Sequence, residues 1–343
     1  MYHLKNKVLE KIPRIKLANL PTPLDELKQL GNKYGFKKLF IKRDDLTGFA
    51  GGGNKSRKLE YDFVEILKGG YDVVVTAGGI QSNHARMTAA AARKFGLDVK
   101  LVLGGPDFKK YEGNLLLDVL FGAEIRYLID DDANDHLTSA MNKWTEELKN
   151  DGRKPFILPI GGSTGLGALG YVKAMQEISK QLTDKKVQII MAIGSCGTFA
   201  GSILGAKLFL PDARIIGISV SRTKEAIIKR AKEIILESSE ILKQKLNLDK
   251  IQIECYDNYF VEYGLITREG KNAILECANL EGILLDPIYT GKVMAGMIDF
   301  VRKKIIDPNI TTVFLHSGGL PILFSFESEF NQLANCTKIY KKN

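Results

Sequence analysis

The chain is sparing with the residues that build disulfide scaffolds and metal modules. Its four cysteines (Cys196, Cys255, Cys277, Cys336) are scattered over 343 residues, and none forms a CxxC pair. That excludes a disulfide framework and a zinc knuckle, and makes a reducing cytoplasm the expected location. His3, His84, His136 and His316 show no metal-ligand spacing, so no metal site is expected. No long apolar run is present either. The most apolar stretch, 187–208, is broken by Gln188, Ser195, Thr198, Ser202 and four glycines. A strand, a turn and a helix suit it better than a membrane span. The N-terminal MYHLKNKVLEKIPR has no apolar core of signal-peptide length. Lys and Arg number 49 against 40 Asp and Glu, a net charge of +9. The basic residues form only short clusters without interleaved aromatics, so nucleic acid is not an expected partner. No low-complexity linker or fixed-period repeat divides the chain.

Hydrophobic residues make up 45% of the sequence, enough for a large core. The length suggests two domains, with no boundary visible in composition. Strand-like runs fall at 39–42, 72–76, 98–103, 124–129, 156–160, 187–193, 214–220 and 311–316. Several are continuously apolar, as in parallel strands covered on both faces. Helical patterns lie between them. Leu59, Phe63 and Leu67 make one face, 84–95 is alanine-rich ahead of Gly96, and a charged helix covers 224–246. This alternation predicts an α/β protein with parallel sheet.

In such folds ligands gather at the carboxyl ends of strands, where four turns stand out. The first is GFAGGGNKSRK, residues 48–58. Three readings apply to it. A P-loop would need Lys directly after the last Gly, but Asn54 intervenes, and no later strand ends in Asp to handle magnesium. A plain glycine turn before a solvated helix start is the second. The third is a Schiff-base lysine at Lys55, whose amine would be neutralised by the helix N-terminus and by Arg57 and Lys58 if they point the same way. The second turn, Gly78-Gly-Ile-Gln-Ser-Asn-His84, offers donors from Gln81, Ser82 and Asn83 to a carboxylate, or ordinary N-capping. The third, Gly194-Ser-Cys-Gly-Thr-Phe-Ala-Gly201, is a phosphate nest or a tight turn, with Cys196 a packing residue rather than a nucleophile. In the fourth, Asp286-Pro-Ile-Tyr-Thr-Gly-Lys292, Thr290 reads as an N-cap and Met294 and Met297 as core.

Two weaker signals are set aside. Gly165-Leu-Gly-Ala-Leu-Gly170 matches GxGxxG, but no acidic residue ends the next strand, so it reads as packing. Asp130–His136 resembles a calcium loop, but Asp135 and Met141 stand where Gly and Glu are needed, so it reads as a helix start.

These turns, together with Pro13-Arg14, PTPL, IKRDDLTG, GGSTGLGALGYV and FLHSGGLPILF, follow one order along nearly the whole chain. That set resembles the pyridoxal-phosphate enzymes related to D-cysteine desulfhydrase and 1-aminocyclopropane-1-carboxylate deaminase. The resemblance implies fold-type II, the tryptophan synthase beta-like architecture. Two open, parallel-rich twisted sheets carry helices on both faces. A small domain, 58–165, is inserted in a large one, 1–57 and 166–343, and the cofactor, pyridoxal 5'-phosphate, lies in the cleft. Lys55 matches the lysine that holds the cofactor covalently, and Asn83 the residue beside the ring hydroxyl. Gly194, Ser195, Cys196, Gly197 and Thr198 match the phosphate cup. Ser82, with Gln81 and Asn83, matches residues near the substrate carboxylate, Ser82 also lying by the moving proton. Tyr263 and Tyr289 match the two active-site tyrosines. Thr290 matches the position facing the pyridine nitrogen, where the deaminase branch has a carboxylate. Cys196 and Thr164-Gly165 depart from the family pattern.

The expected activity is β-elimination from D-cysteine, giving pyruvate, hydrogen sulfide and ammonia. The alternatives are the cyclopropane deaminase, a cysteate sulfo-lyase and, from another class, a non-catalytic phosphate- or nucleotide-binding module. The partners implied are a small amino-acid substrate and a second copy of the chain in a homodimer.

Overall fold

The computed structural model describes residues 8–129, 133–259 and 264–330. The strands are β1 (Leu24–Glu26), β2 (Leu39–Arg43), β3 (Val73–Gly79), β4 (Asp98–Gly104), β5 (Glu124–Leu128), β6 (Pro155–Ile157), β7 (Val187–Ile193), β8 (Arg214–Ser219), β9 (Glu254–Tyr256) and β10 (Thr311–His316). They form a six-stranded sheet, β1-β2-β10-β7-β8-β9, and a four-stranded sheet, β5-β4-β3-β6. Every pairing is parallel except β1 with β2. The smaller sheet uses residues 73–157 and lies in sequence between β2 and β7 of the larger one. The main helices are α1 (Lys28–Tyr34), α2 (Lys55–Lys68), α3 (Asn83–Lys94), α4 (Gly113–Leu120), α5 (Ala133–Asn150), α6 (Gly165–Gln181), α7 (Gly197–Phe209), α8 (Lys224–Ile241), α9 (Arg268–Glu281) and α10 (Thr290–Arg302).

Parallel strands need apolar cover on both faces, and the side-chain alternation supplies it. On β7, Ile189 and Met191 enter one core cluster and Ile190 another. On β10, Val313 and Leu315 go one way and Phe314 the other. The smaller sheet does the same, with Val74 and Leu101 against Val73, Val75 and Val102. The stretch 187–208 is β7 followed by α7, and no helix of the described residues is long and apolar enough to cross a membrane.

Some details depart from the sequence pattern. The apolar face of α2 runs Leu59, Phe63, Ile66, all fully buried, while Leu67 is exposed, because the helix repeats at 3.6 residues rather than four. The run at 156–160 stops as a strand at Ile157, since Gly161 and Gly162 take φ of 73° and 57° in a tight turn. The charged helix α8 ends at Ile241. The GxGxxG glycines are packing positions. A Cβ at Gly165 would lie 2.3 Å from Glu237 Cβ, and one at Gly170 would lie 2.3 Å from the Arg57 carbonyl oxygen. At 130–136, α5 begins at Ala133, and residues 130–132 lie outside the described residues.

A buried charge cluster joins four segments beneath α2. Arg57, fully buried, donates from Nε and Nη2 to Asp44 at 2.8 Å each, and from Nη1 and Nη2 to Glu177 of α6 at 2.9 Å each. The Thr22 hydroxyl donates to Asp44 at 2.8 Å, and the Tyr171 hydroxyl does so at 2.5 Å. Lys42, equally buried, sits 3.2 Å from Glu177 and donates to the Thr22 carbonyl and to Gln181. Two cations face two carboxylates. Burial opposes ionisation of Asp44, but Arg57, with the Tyr171 hydroxyl and Lys42, outweighs it and holds the carboxyl below its usual range. Arg57→Leu should therefore lower unfolding stability by about 3–5 kcal/mol, because two buried carboxylates lose their partner. Urea midpoints measure this, with Lys149→Ala in an exposed Lys149–Glu146 pair as a control that leaves the midpoint in place.

Candidate active site

The carboxyl ends of β2, β3 and β7 deliver the first three turns to one cavity of about 310 Å³, which Ser317 after β10 and Tyr289 of the fourth turn, ahead of α10, also line. Lys55, Ser82, Asn83, Gly194, Ser195, Cys196, Thr198 and Tyr289 all line it. No acidic side chain does so among the described residues.

Lys55 is placed by a loop tied at three points. Thr47 Oγ1 both accepts from Gly53 N–H at 2.7 Å and donates to the Gly53 carbonyl at 3.0 Å. Arg86 donates to the Gly52 carbonyl at 2.9 Å, and Asn54 N–H donates to the Ser317 carbonyl at 2.9 Å. Gly52 has φ 77°, and a Cβ there would lie 1.9 Å from the Asp45 carbonyl oxygen. The glycines thus serve close backbone packing behind the lysine. Asn54 Nδ2 reaches across to Thr198 Oγ1 at 3.0 Å and links the lysine turn to the third turn.

Arg57 points away from Lys55 into the charge cluster, so it adds no like charge to the lysine. Lys58 is the neighbour that shares the lysine's side. It is buried, donates to the Gly161 carbonyl and lies under the third turn, where a Cβ on Gly197 would be 3.2 Å from its Nζ. Burial pushes the Lys55 amine down to about 8. Burial, and then the Lys55 charge, push Lys58 well below the lysine range. His84 is held well below 6.5 by burial and by both lysines, and is neutral. Asp62, whose Oδ2 is buried without a partner, is raised by burial to about 7 against the pull of Thr164 and Lys58.

The third turn presents donors. Cys196 adopts φ 70° ahead of α7, a left-handed conformation that makes successive N–H groups converge. Its thiol is packed in the core and raised by burial, as a packing residue requires. Gly197 N–H donates to Ser163 Oγ at 3.1 Å, and Ser163 donates to Ser195 Oγ at 2.7 Å. The Ser195 proton is then left for the cavity. Across the site, Ser82 caps α3 by accepting from Ala85 N–H at 3.2 Å, which leaves its own proton to donate.

Three expected residues are placed differently. Gln81 turns its amide away, accepting from Asn114 N–H at 2.8 Å and donating to the Glu112 carbonyl at 3.1 Å, so it does not line the cavity. The Gly197 N–H is taken by Ser163. Thr290 is fully buried behind the wall and is the first residue of α10, with Tyr289 the N-cap. Its hydroxyl donates to Asp286 Oδ1 at 2.6 Å and accepts from Asp286 N–H at 2.7 Å. Asp286 Oδ2 in turn accepts from Tyr289 N–H at 2.8 Å and so places that tyrosine. Tyr263 lies outside the described residues. Sequence reasoning missed His84, Ser317 and Arg222 on the cavity wall and the direction of Lys58. Only the last carried a signal, because residues three apart on a helix share a face whereas two apart are about 200° around.

Among the described residues, no group of three or more His, Cys, Asp and Glu could hold a metal. What the cavity offers is an amine of lowered basicity opposite a cluster of anion-directed donors. In neutral solution, the shift of Lys55 from 10.5 to about 8 gives roughly 300-fold more free amine than an ordinary lysine. Trapping Lys55 with a small aldehyde and borohydride should therefore reach half its maximal rate near pH 8. A midpoint near that of surface lysines would contradict the burial.

The comparisons with known proteins agree with this geometry. A family model described as pyridoxal-phosphate dependent enzyme matches residues 15–318. A Pyrococcus horikoshii protein provisionally named 1-aminocyclopropane-1-carboxylate deaminase is 42% identical over 93% of this chain and 95% of its own length. D-cysteine desulfhydrase of Klebsiella pneumoniae is 39% identical over 93% of this chain and 97% of its own. A solved structure described as an ACC deaminase homologue superposes with a TM-score of 0.89 at 39% identity, covering 97% of this chain and all of that one. The family model over most of the chain and these relatives place it in the pyridoxal-phosphate-dependent enzyme family, closely related to its deaminase and D-cysteine desulfhydrase members.

Proposed function

We propose that this chain is a pyridoxal-phosphate-dependent lyase that eliminates the Cβ substituent of D-cysteine, releasing pyruvate, hydrogen sulfide and ammonia. The residues present fit the cofactor. The left-handed Cys196 and the outward Ser195 hydroxyl suit a phosphate, and the absence of lining carboxylates among the described residues favours a dianion. Lys55 would hold the aldehyde carbon, and Asn83 the ring hydroxyl. When bound, the cofactor supplies an electron sink conjugated to the substrate amine.

The chain's own residues do the rest. The substrate carboxylate is received at the N-terminus of α3, by the Ser82 hydroxyl and the first N–H groups. Gln81 acts there only through its backbone, since its side chain is engaged elsewhere. Once displaced by the substrate amine, Lys55 takes the α-proton, with its basicity tuned by burial towards neutral pH. Ser82 steadies that proton. Tyr289, held by Asp286 at the opposite wall, assists departure of the thiolate.

The observation that carries the substrate choice is Thr290. Its hydroxyl is neutral where the deaminase branch has a carboxylate, and it lies behind the cavity wall, engaged with Asp286. A weaker sink suffices to expel thiolate, but not to open a cyclopropane. The relatives named above are named for both activities, the deaminase one provisionally, so the deaminase is the second reading.

Two measurements test this. The purified protein should show a visible absorbance band that Lys55→Ala abolishes, with turnover falling by about 10³-fold; a colourless wild type would favour a non-catalytic phosphate-binding module. Turnover of D- and L-cysteine, cysteate and the cyclopropane amino acid should give sulfide and pyruvate from D-cysteine at the highest rate. 2-Oxobutanoate as the main product would establish the deaminase, and sulfite from cysteate the sulfo-lyase.

A further inference from the structure

Asn114 lies outside the cavity and outside every recognised motif, yet three hydrogen bonds join it to the second turn. It is the second residue of α4 and fully buried. Its N–H donates to Gln81 Oε1 at 2.8 Å. Its Nδ2 donates to the Gln81 carbonyl at 2.8 Å and to Asn83 Oδ1 at 2.9 Å. The preceding Gly113 has φ 57°, and a Cβ there would lie 2.4 Å from Gln81 Oε1, so the approach of the two segments requires glycine.

The bonds run in one direction. A backbone carbonyl can only accept, so the Gln81 carbonyl obliges Asn114 to present its NH₂ edge. The second hydrogen of that NH₂ then meets Asn83, which must answer with its oxygen. Asn83 Nδ2 is left facing the cavity with no protein partner among the described residues. The Asn114 Oδ1 on the far side is buried and unpartnered, so it is the two Nδ2 bonds that hold this orientation.

We propose that Asn114 is a positioning residue for the cofactor ring, acting through Asn83, whose amide it orients so that a donor meets the ring oxygen. This rests on the reading that pyridoxal phosphate occupies the cavity. Asn114→Asp is the informative change. A carboxyl group carries at most one hydrogen where the amide carries two, so it cannot satisfy both Gln81 and Asn83. Asn83 then turns its NH₂ towards residue 114 and its oxygen towards the ring.

The experiment compares wild type, Asn114→Asp, Asn83→Ala and the double variant, each loaded with pyridoxal phosphate. The readouts are the position of the visible band as a function of pH and the half-saturating cofactor concentration after stripping. Asn114→Asp should shift the band and weaken retention roughly fivefold, the loss of about one hydrogen bond. In the Asn83→Ala background it should add nothing, because its effect passes through that amide. Asn114→Ala, which removes both hydrogens without adding an acceptor, should move both readouts in the same direction by less, and it carries the same cycle if the aspartate variant does not fold. A coloured wild type with an unshifted variant overturns this proposal alone, as does an equal shift in the Asn83→Ala background. A colourless wild type overturns the cofactor reading and this proposal with it.

Discussion

Arg57 holds a full charge where no water reaches, and much of the molecule is arranged to neutralise it. Five of its hydrogen bonds close on Asp44, Glu177 and Thr22. Those partners come from the end of β2, from α6 and from the loop before β1, so one guanidinium ties the lysine helix to the large sheet and to its longest neighbouring helix. An unpaired charge in that interior would be costly, so the helix has one rotational setting. That setting sends Arg57 into the protein and Lys55 into the cleft, with Lys58 buried beneath the third turn. The position of the reactive amine is therefore a consequence of a salt-bridge cluster that never touches the site.

The cleft itself depends on a second constraint, the direction of hydrogen bonds. Hydroxyls and amides can present either a donor or an acceptor, and a site for an anion needs donors. For the amides the choice is made by a backbone group that has none. A backbone carbonyl at Gln81 aligns Asn114 and then Asn83, while at the third turn Gly197 N–H bonds to Ser163 and Ser163 to Ser195. Low polarity around these chains makes a reversed bond expensive. The same low polarity depresses the basicity of Lys55. Burial thus makes the amine reactive and keeps the donors aimed.

Much of this was legible beforehand, and the exceptions have physical causes. Eight of the ten described strands were visible as apolar runs, seven of them five residues or longer and β6 a three-residue part of its run, whereas β1 (LDE) and β9 (ECY) carry acidic residues and no apolar run. The four turns could be located because glycine and small polar residues follow apolar runs at each. What they hold was less visible. Gln81 sits in the motif but looks the other way, and Thr290 lies behind the wall, because a motif specifies a turn and not the rotamers that neighbours impose. Asn114 left no trace at all. Its partners are about thirty residues away in sequence, and nothing in the stretch around it is unusual.

The sequence by itself determined the fold class, the order of the elements and the location of the turns that meet at the cavity, because these follow from local periodicity, turn chemistry and an ordered set of motifs. Only the tertiary structure decided which way each polar group faces. Arg57 and Lys58 are adjacent in sequence and point in different directions, one neutralised in the charge cluster and the other bonded to the Gly161 carbonyl beneath the third turn. Asn83 is a donor to the cavity only because Asn114 occupies its oxygen. Such directions are set by the partner across a packed interface, and that partner exists only once the two sheets and their helices have come together.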